Sequence, residues 1–147
     1  MTTTIMPKIK DETYAELPEQ PADTLSPVFD FTRGDFTMAA GRVTLVRGEA
    51  RVRTWIDKVL RTERDLFAAY LITPEKYGVD YQRWLFSVRD RDYIREELGR
   101  EIRERMLENP EITEVREMQI TFDRRGVTVS YRVGTIYGET EGETSGL

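Results

Sequence analysis

MQITFDRRGVTVSYRVGTIY, residues Met118 to Tyr137, carries the reading on which the fold turns. Met118, Ile120 and Phe122 alternate with polar residues. Asp123-Arg124-Arg125-Gly126 is a turn signal, and Val127, Val129, Tyr131 and Val133 then alternate again. Two period-two runs joined by a short turn predict an antiparallel hairpin with one apolar face. Gly134 is expected to mark a bulge before Thr135, Ile136 and Tyr137. An alternating strand followed by a short polar tail can lie at a sheet edge, where it would accept a strand from another chain. The same pattern also describes a plain core hairpin. Residues 140–147 are acidic and Gly-rich, which predicts a flexible tail.

Upstream of the hairpin the periodicity changes. Ile94, Leu98, Ile102 and Met106 recur every four residues, predicting a helix over Asp92 to Glu108 that Asn109-Pro110 stops. Glu96 with Arg100, and Glu101 with Arg105, are expected to pair at i,i+4 on its wet side. A short helical piece over Tyr81 to Phe86 carries Trp84 and Leu85. A longer helix is expected from Glu49 to Leu71, with the apolar stripe Val52, Trp55, Ile56, Val59, Phe67, Tyr70 and Leu71. Pro74 and Gly78 end it.

Glu63 falls on that stripe. A lone buried carboxylate is costly, so a partner must answer it. Arg64 is adjacent and can hold a carboxylate through two parallel hydrogen bonds. Two readings stand: an internal ion pair that fixes the helix, or a pair that faces a partner protein. Trp55, Trp84, Tyr70 and Tyr81 lie at helical spacings among apolar neighbours, as core residues do.

Nearer the N-terminus, Val28 to Val46 is expected to form a hairpin. Phe36 and Met38 alternate before the Ala39-Ala40-Gly41 turn, and Val43 and Leu45 after it. Met1 to Pro27 is polar, acidic and punctuated by Pro7, Pro18, Pro21 and Pro27. Proline at that density favours extended chain. It reads either as a disordered tail or as an arm that orders against a neighbouring subunit. The order hairpin, helix, short helix, helix, hairpin predicts an α+β fold with helices packed on a small antiparallel sheet. No Gly-rich phosphate loop is present.

The 147 residues suit one domain. With 39% hydrophobic and 33% charged residues, the composition is that of a globular protein with a charged surface. No apolar run approaches the roughly 20 residues of a membrane span. The opening MTTTIMPKIKDETY lacks the apolar core of a secretory signal, which predicts a cytoplasmic origin. The chain holds no Cys and no His, which removes disulfides, thiol nucleophiles, His-based triads and the usual zinc sites. No calcium-loop spacing occurs either. A net charge of −5, with Arg interleaved among acids, argues against nucleic acid as the main partner. Paired carboxylates can hydrolyse glycosides, and Glu63 with Asp80 or Glu75 would be candidates. Yet 27 acidic residues generate such pairs by number alone, so no catalytic residue, cofactor or metal is assigned.

Four segments, FDFTRGDF, GRVTLVRGEARVRTWIDKVLRTER, PEKYGVD and TVSYRVGTIYGE, occur in an order that resembles the XkdS-like proteins of PBSX-type prophages. Those proteins are similar to the sheath initiator of contractile tails, a baseplate wedge family that has also carried a lysozyme-like label. The resemblance covers about Val28 to Glu139. It divides the chain into an extended arm (1–27), a domain similar to the sheath handshake fold (28–139) and a flexible acidic tail (140–147).

The resemblance implies a structural role, not an enzymatic one, in a phage tail, tailocin or related injection machine. The protein would start sheath polymerisation by offering a sheet edge to sheath strands. Implied partners are the sheath protein, the baseplate hub, other wedge proteins and the tube, with several copies around the tail axis and neither nucleic acid nor membrane bound. The implied location is the bacterial cytoplasm during assembly and the baseplate of the finished particle. Thr62, Glu63 and Arg64 match the family's helix-borne Glu-Arg, although many relatives carry Gly where Thr62 stands. Tyr77, Gly78 and Asp80 match its turn. Val127, Val129, Tyr131, Val133, Ile136 and Tyr137 match its last strand region, the expected place for sheath augmentation. The alternative is a small cytoplasmic adaptor of similar fold that binds one protein partner.

Overall fold

A computed structural model describes residues 24–64 and 77–147. Six two-residue strands come first: β1 (Ser26–Pro27), β2 (Phe29–Asp30), β3 (Asp35–Phe36), β4 (Met38–Ala39), β5 (Arg42–Val43) and β6 (Leu45–Val46). They pair as three antiparallel ladders, β1 with β6, β2 with β3 and β4 with β5. The ladders meet at a three-way backbone junction. Val28 N–H donates to Thr44 O (3.0 Å), Thr44 N–H to Thr37 O (2.8 Å) and Thr37 N–H to Val28 O (2.9 Å). The expected turn is present between β4 and β5, with Ala40 and Gly41 both at positive φ. The single expected hairpin is nevertheless split. Asp30 Oδ1 accepts the N–H groups of Thr32 and Arg33, which closes a turn of its own and folds Phe29 back onto Phe36. Ser26 and Pro27, expected in the arm, pair with Val46 and Leu45. Residues 1–23 of that arm lie outside the described residues.

Helix α1 (Gly48–Leu60) buries Val52, Ile56, Val59 and Leu60, and Trp55 packs beside them. The expected helix to Leu71 stops eleven residues early, and 65–71 lie outside the described residues. Two competing interactions end it. Thr62 Oγ1 donates back to Lys58 O (2.7 Å). The backbone then pairs sideways with buried Val79, through Val79 N–H to Thr62 O (2.9 Å) and Arg64 N–H to Val79 O (3.0 Å). Glu63 therefore sits in an isolated parallel bridge with Val79, off the helix and off its apolar stripe.

Helix α2 (Tyr81–Leu85) is a single short turn, capped by Asp80 Oδ1 accepting from Arg83 N–H. Helix α3 (Arg91–Leu107) begins at Asp90, whose side chain accepts from Asp92 N–H. Its stripe buries Ile94, Leu98, Ile102 and Met106 as expected, and also Glu101 and Arg105. That corrects their placement on the wet side. On the outer surface Arg100 instead pairs with Glu97 (2.5 Å) and Glu104 (3.3 Å).

The C-terminal sheet has three antiparallel strands in the order β7 (Ile112–Asp123), β8 (Gly126–Thr135), β9 (Gly138–Thr144). Two-residue loops, Arg124-Arg125 and Ile136-Tyr137, join them. The bulges fall on β7, at Thr113 and Arg116, opposite the expected Gly134. Gly134 supplies the room: a Cβ there would stand 2.9 Å from Glu114 Cγ and 3.0 Å from Thr113 Oγ1. Val127, Val129, Tyr131 and Val133 on β8, with Ile120 on β7, form the buried face under α1 and α3.

Residues 140–147 are not the expected tail. Glu139, Glu141 and Glu143 alternate with Thr140, Gly142 and Thr144, and this period-two pattern makes the third strand. Thr140 and Thr144 are buried, and Thr144 Oγ1 donates to Asp57 Oδ1 of α1 (2.9 Å). Gly142 leaves space for Tyr131, whose hydroxyl would lie 2.5 Å from a Cβ at that position. Leu147 exchanges backbone bonds with Val127 (3.1 and 3.2 Å). No helix among the described residues is long and apolar enough to cross a membrane.

Candidate functional site: a carboxylate clamp and a sheet edge

The predicted site residues fall into two groups that the fold keeps apart. The first gathers Thr62, Glu63, Arg64, Gly78 and Asp80 around the Val79 bridge. Gly78 lies at φ +85°, and a Cβ there would stand 2.5 Å from Thr62 O, so the close crossing demands glycine. Tyr77 lies beside it, with Lys58 Nζ 5.9 Å from its ring centre.

Glu63 and Arg64 do not answer each other. The Glu63 carboxylate turns to the start of α2 and accepts Gln82 N–H (3.1 Å). Burial pushes its pKa up, and the nearby Asp80 and Glu101 carboxylates add to the rise, while the Gln82 and Tyr81 N–H groups oppose it. Arg64 reaches the other way, Nη1 to Glu101 Oε1 (3.1 Å) and Nη2 to Asp80 Oδ2 (3.4 Å). The pair thus clamps the chain on either side of Val79 to α2 and α3.

Glu101, expected on the wet side of its helix, is the hub of this clamp. Only 8% exposed, it accepts Trp84 Nε1–H (2.8 Å) and Asp80 N–H (3.2 Å) besides pairing with Arg64. A signal for it existed. Ile94, Leu98, Glu101, Ile102, Arg105 and Met106 follow the i, i+4, i+7, i+8, i+11, i+12 spacing of a helix stripe, so Glu101 belongs to the apolar face. Tyr81 completes the interior, its hydroxyl donating to Leu60 O (2.7 Å) and its pKa driven up by burial.

The second group is the sheet. Val127, Val129, Tyr131 and Val133 lie on β8, which is hydrogen-bonded on both sides. The expected augmentation at this strand is therefore corrected: a central strand has no free ladder to offer. Ile136 and Tyr137 form the β8–β9 turn, tied to the chain before β7 by Ile136 N–H to Glu111 O (3.0 Å) and Tyr137 Oη–H to Glu111 Oε1 (3.1 Å). Arg51 of α1 pairs with the same Glu111 carboxylate.

The open edges are those of β7 and β9, and they differ. Arg95 Nε of α3 donates to Ile120 O (3.1 Å), so this carbonyl points away from β8 and is already engaged. In an antiparallel ladder, residue pairs alternate between bonding each other and bonding outward. Ile120 and Val129 face each other, so Val129 bonds toward Thr144 on β9. By the same alternation Glu139, Glu141 and Glu143 direct their N–H and C=O groups to the outer side of β9. Among the described residues nothing outside the sheet bonds those three backbones. Their side chains lie on the solvent face, where Arg132 meets Glu117 (3.4 Å), Glu139 (3.5 Å) and Glu141 (3.3 Å), and Ser130 Oγ donates to Glu143 (3.0 Å).

A search of curated proteins finds no match to the chain. The family model for the contractile injection system sheath initiator matches residues 26–138, from the first ladder to the start of β9. The chain therefore belongs to the sheath initiator family of contractile injection systems, with a structural role tied to sheath and baseplate proteins at the tail.

Proposed function

We propose that the protein starts sheath polymerisation by presenting the outer edge of β9 to a strand of the first sheath subunits. The observation that carries the reading is the asymmetry of the two edges. β7 spends its Ile120 carbonyl on Arg95, whereas β9 keeps alternate backbone groups directed outward at Glu139, Glu141 and Glu143. An incoming strand would gain main-chain hydrogen bonds there, the usual source of affinity in strand addition. β9 is held firmly enough to serve as a template, by the full β8 ladder and by Thr144 on Asp57. The carboxylate clamp fixes the segment around Val79 between the helices, where Glu63 and Arg64 would shape the face turned to baseplate neighbours. Assembly would take place in the bacterial cytoplasm, with several copies arranged around the tube.

The reading is tested by electron microscopy of tail particles from a strain deleted for the gene. Baseplates and tubes without sheath are the expected product. Complete, contractile particles would overturn it.

A further inference from the structure

A strand that joins the edge of β9 would be held by its backbone, and its side chains would fall alternately on the two faces of the sheet. Both faces carry polar groups with bonding capacity left over. On the solvent face stands the row Glu139, Glu141 and Glu143. Arg116 is shared between Glu114 and Glu139, and Arg132 between Glu117, Glu139 and Glu141. Glu143 meets the Ser130 hydroxyl (3.0 Å) and no cation among the described residues. On the other face α1 runs beside β9. Glu49, Arg53 and Asp57 recur every fourth residue, about 6 Å apart along a helix. Thr140, Gly142 and Thr144 recur every second residue, about 6.6 Å apart along a strand, so the two rows keep step. Thr144 Oγ1 donates to Asp57 (2.9 Å), and Arg53 donates to the Tyr131 hydroxyl for which Gly142 makes room. Toward the start of β9, Glu49 and Arg53 line a hollow together with Glu139, Thr140 and Glu141. Thr140 is only 3% exposed, and its hydroxyl has no hydrogen-bond partner. A buried hydroxyl left in that state costs stability until something bonds it.

We infer that the strand received at β9 carries Lys or Arg on the residues facing Glu141 and Glu143, and small hydroxyl or amide side chains on the residues between. The acidic row is short of cations. Opposite charges on neighbouring strands stabilise a pair, whereas like charges directly opposite destabilise it. The hollow holds charges of both signs beside the unpartnered hydroxyl, so a neutral group that both donates and accepts suits it. A second copy's β9 is excluded as the occupant, because its acidic row would lie against this one. Main-chain bonds give such an edge its affinity, and the alternate side chains give it selectivity. The inference rests on the reading of β9 as the edge where sheath docks.

Glu141→Lys with Glu143→Lys tests it, since the backbone edge is kept and Glu139 still holds Arg116 and Arg132. The double variant should melt close to the parent. The fraction of tails that carry sheath, counted by electron microscopy, is expected to fall about tenfold. Second-site changes that restore sheath should lie on alternate residues of one sheath strand and replace Lys or Arg by Asp or Glu. If the lysine pair unfolds the protein, Glu141→Gln with Glu143→Gln takes its place, with a several-fold fall expected. Thr140→Val removes the unpartnered hydroxyl at nearly constant shape. It should melt at or above the parent and still lower the sheathed fraction several-fold. Normal sheath on folded variants of either face would overturn the inference. If Glu141→Pro leaves bare tubes while the lysine pair builds sheath, strand addition at β9 stands and the charge pattern falls. If Glu141→Pro builds sheath as well, both fall.

Discussion

The two β regions of this chain share a sequence pattern and differ in everything that follows from it. Residues 24–46 and 118–133 both alternate apolar with polar side chains. In the C-terminal sheet the alternation becomes a buried face, because α1 and α3 lie across it. In the N-terminal ladders no residue is buried, and Leu25, Phe36, Met38, Val43 and Leu45 remain exposed. Period two decides which side chains share a face. Burial needs a second layer, and that is supplied by parts of the chain remote in sequence. The C-terminal region should therefore hold the stability and the N-terminal ladders should be nearly free to vary.

Four substitutions probe that difference, from the largest effect to the smallest. Glu101→Ala removes the shared acceptor of Arg64, Trp84 Nε1 and Asp80 N–H, which takes the nearer carboxylate from a mostly buried cation and leaves the buried indole N–H without its acceptor. A loss of about 3–5 kcal/mol is expected in denaturant unfolding. A loss below about 1 kcal/mol would mean that the clamp is not the hub described. Leu98→Ala, in the fully buried stripe of α3, should cost about 2–4 kcal/mol through lost burial and an unfilled cavity.

Glu63→Gln separates the exposed part of the clamp from its buried part. The raised pKa of Glu63 means that the folded protein binds this proton more tightly than the unfolded chain does. Its contribution to stability is present at acid pH and is lost as pH rises through the folded value. The parent should therefore lose stability relative to Glu63→Gln between acid and neutral pH, by less than about 1 kcal/mol because the side chain is partly solvated. The opposite slope would show that the N–H groups of α2 outweigh burial. Met38→Ser, at the other end of the comparison, should shift stability by at most about 0.5 kcal/mol. A large loss would show that the ladders are packed after all.

Much of this was legible in the chain. The β7–β8 turn lies at the expected Asp123–Gly126, and α3 matches its expected span to within one residue at each end, because long periodic segments state their faces plainly. What escaped was set by tertiary competition. α1 should have run on to Leu71 by its stripe, yet the Val79 bridge and the Thr62 hydroxyl end it at Leu60. Glu101 and Arg105 resemble a solvent pair by i,i+4 charge complementarity, but their position on the stripe puts both on the buried face. β9 escaped because its inward residues are Thr and Gly, chosen for fit against Asp57 and Tyr131, so its alternation is between acidic and small side chains rather than polar and apolar ones. The edge follows from β9: a flexible tail would make β8 the last strand, and the third strand moves the edge outward.

The central claim is that sheath strands dock on the outward backbone of β9, and a proline pair tests it most directly. Glu141→Pro removes an outward N–H, whereas Thr140→Pro removes one bonded to β8. Glu141→Ala controls for the lost ion pair with Arg132. Sheathed particles would be counted by electron microscopy for each variant, alongside a thermal melt of the purified protein. The expected result is that Glu141→Pro melts close to the parent but yields bare tubes, Glu141→Ala builds sheath, and Thr140→Pro loses stability. Normal sheath on particles carrying a folded Glu141→Pro protein would contradict the account.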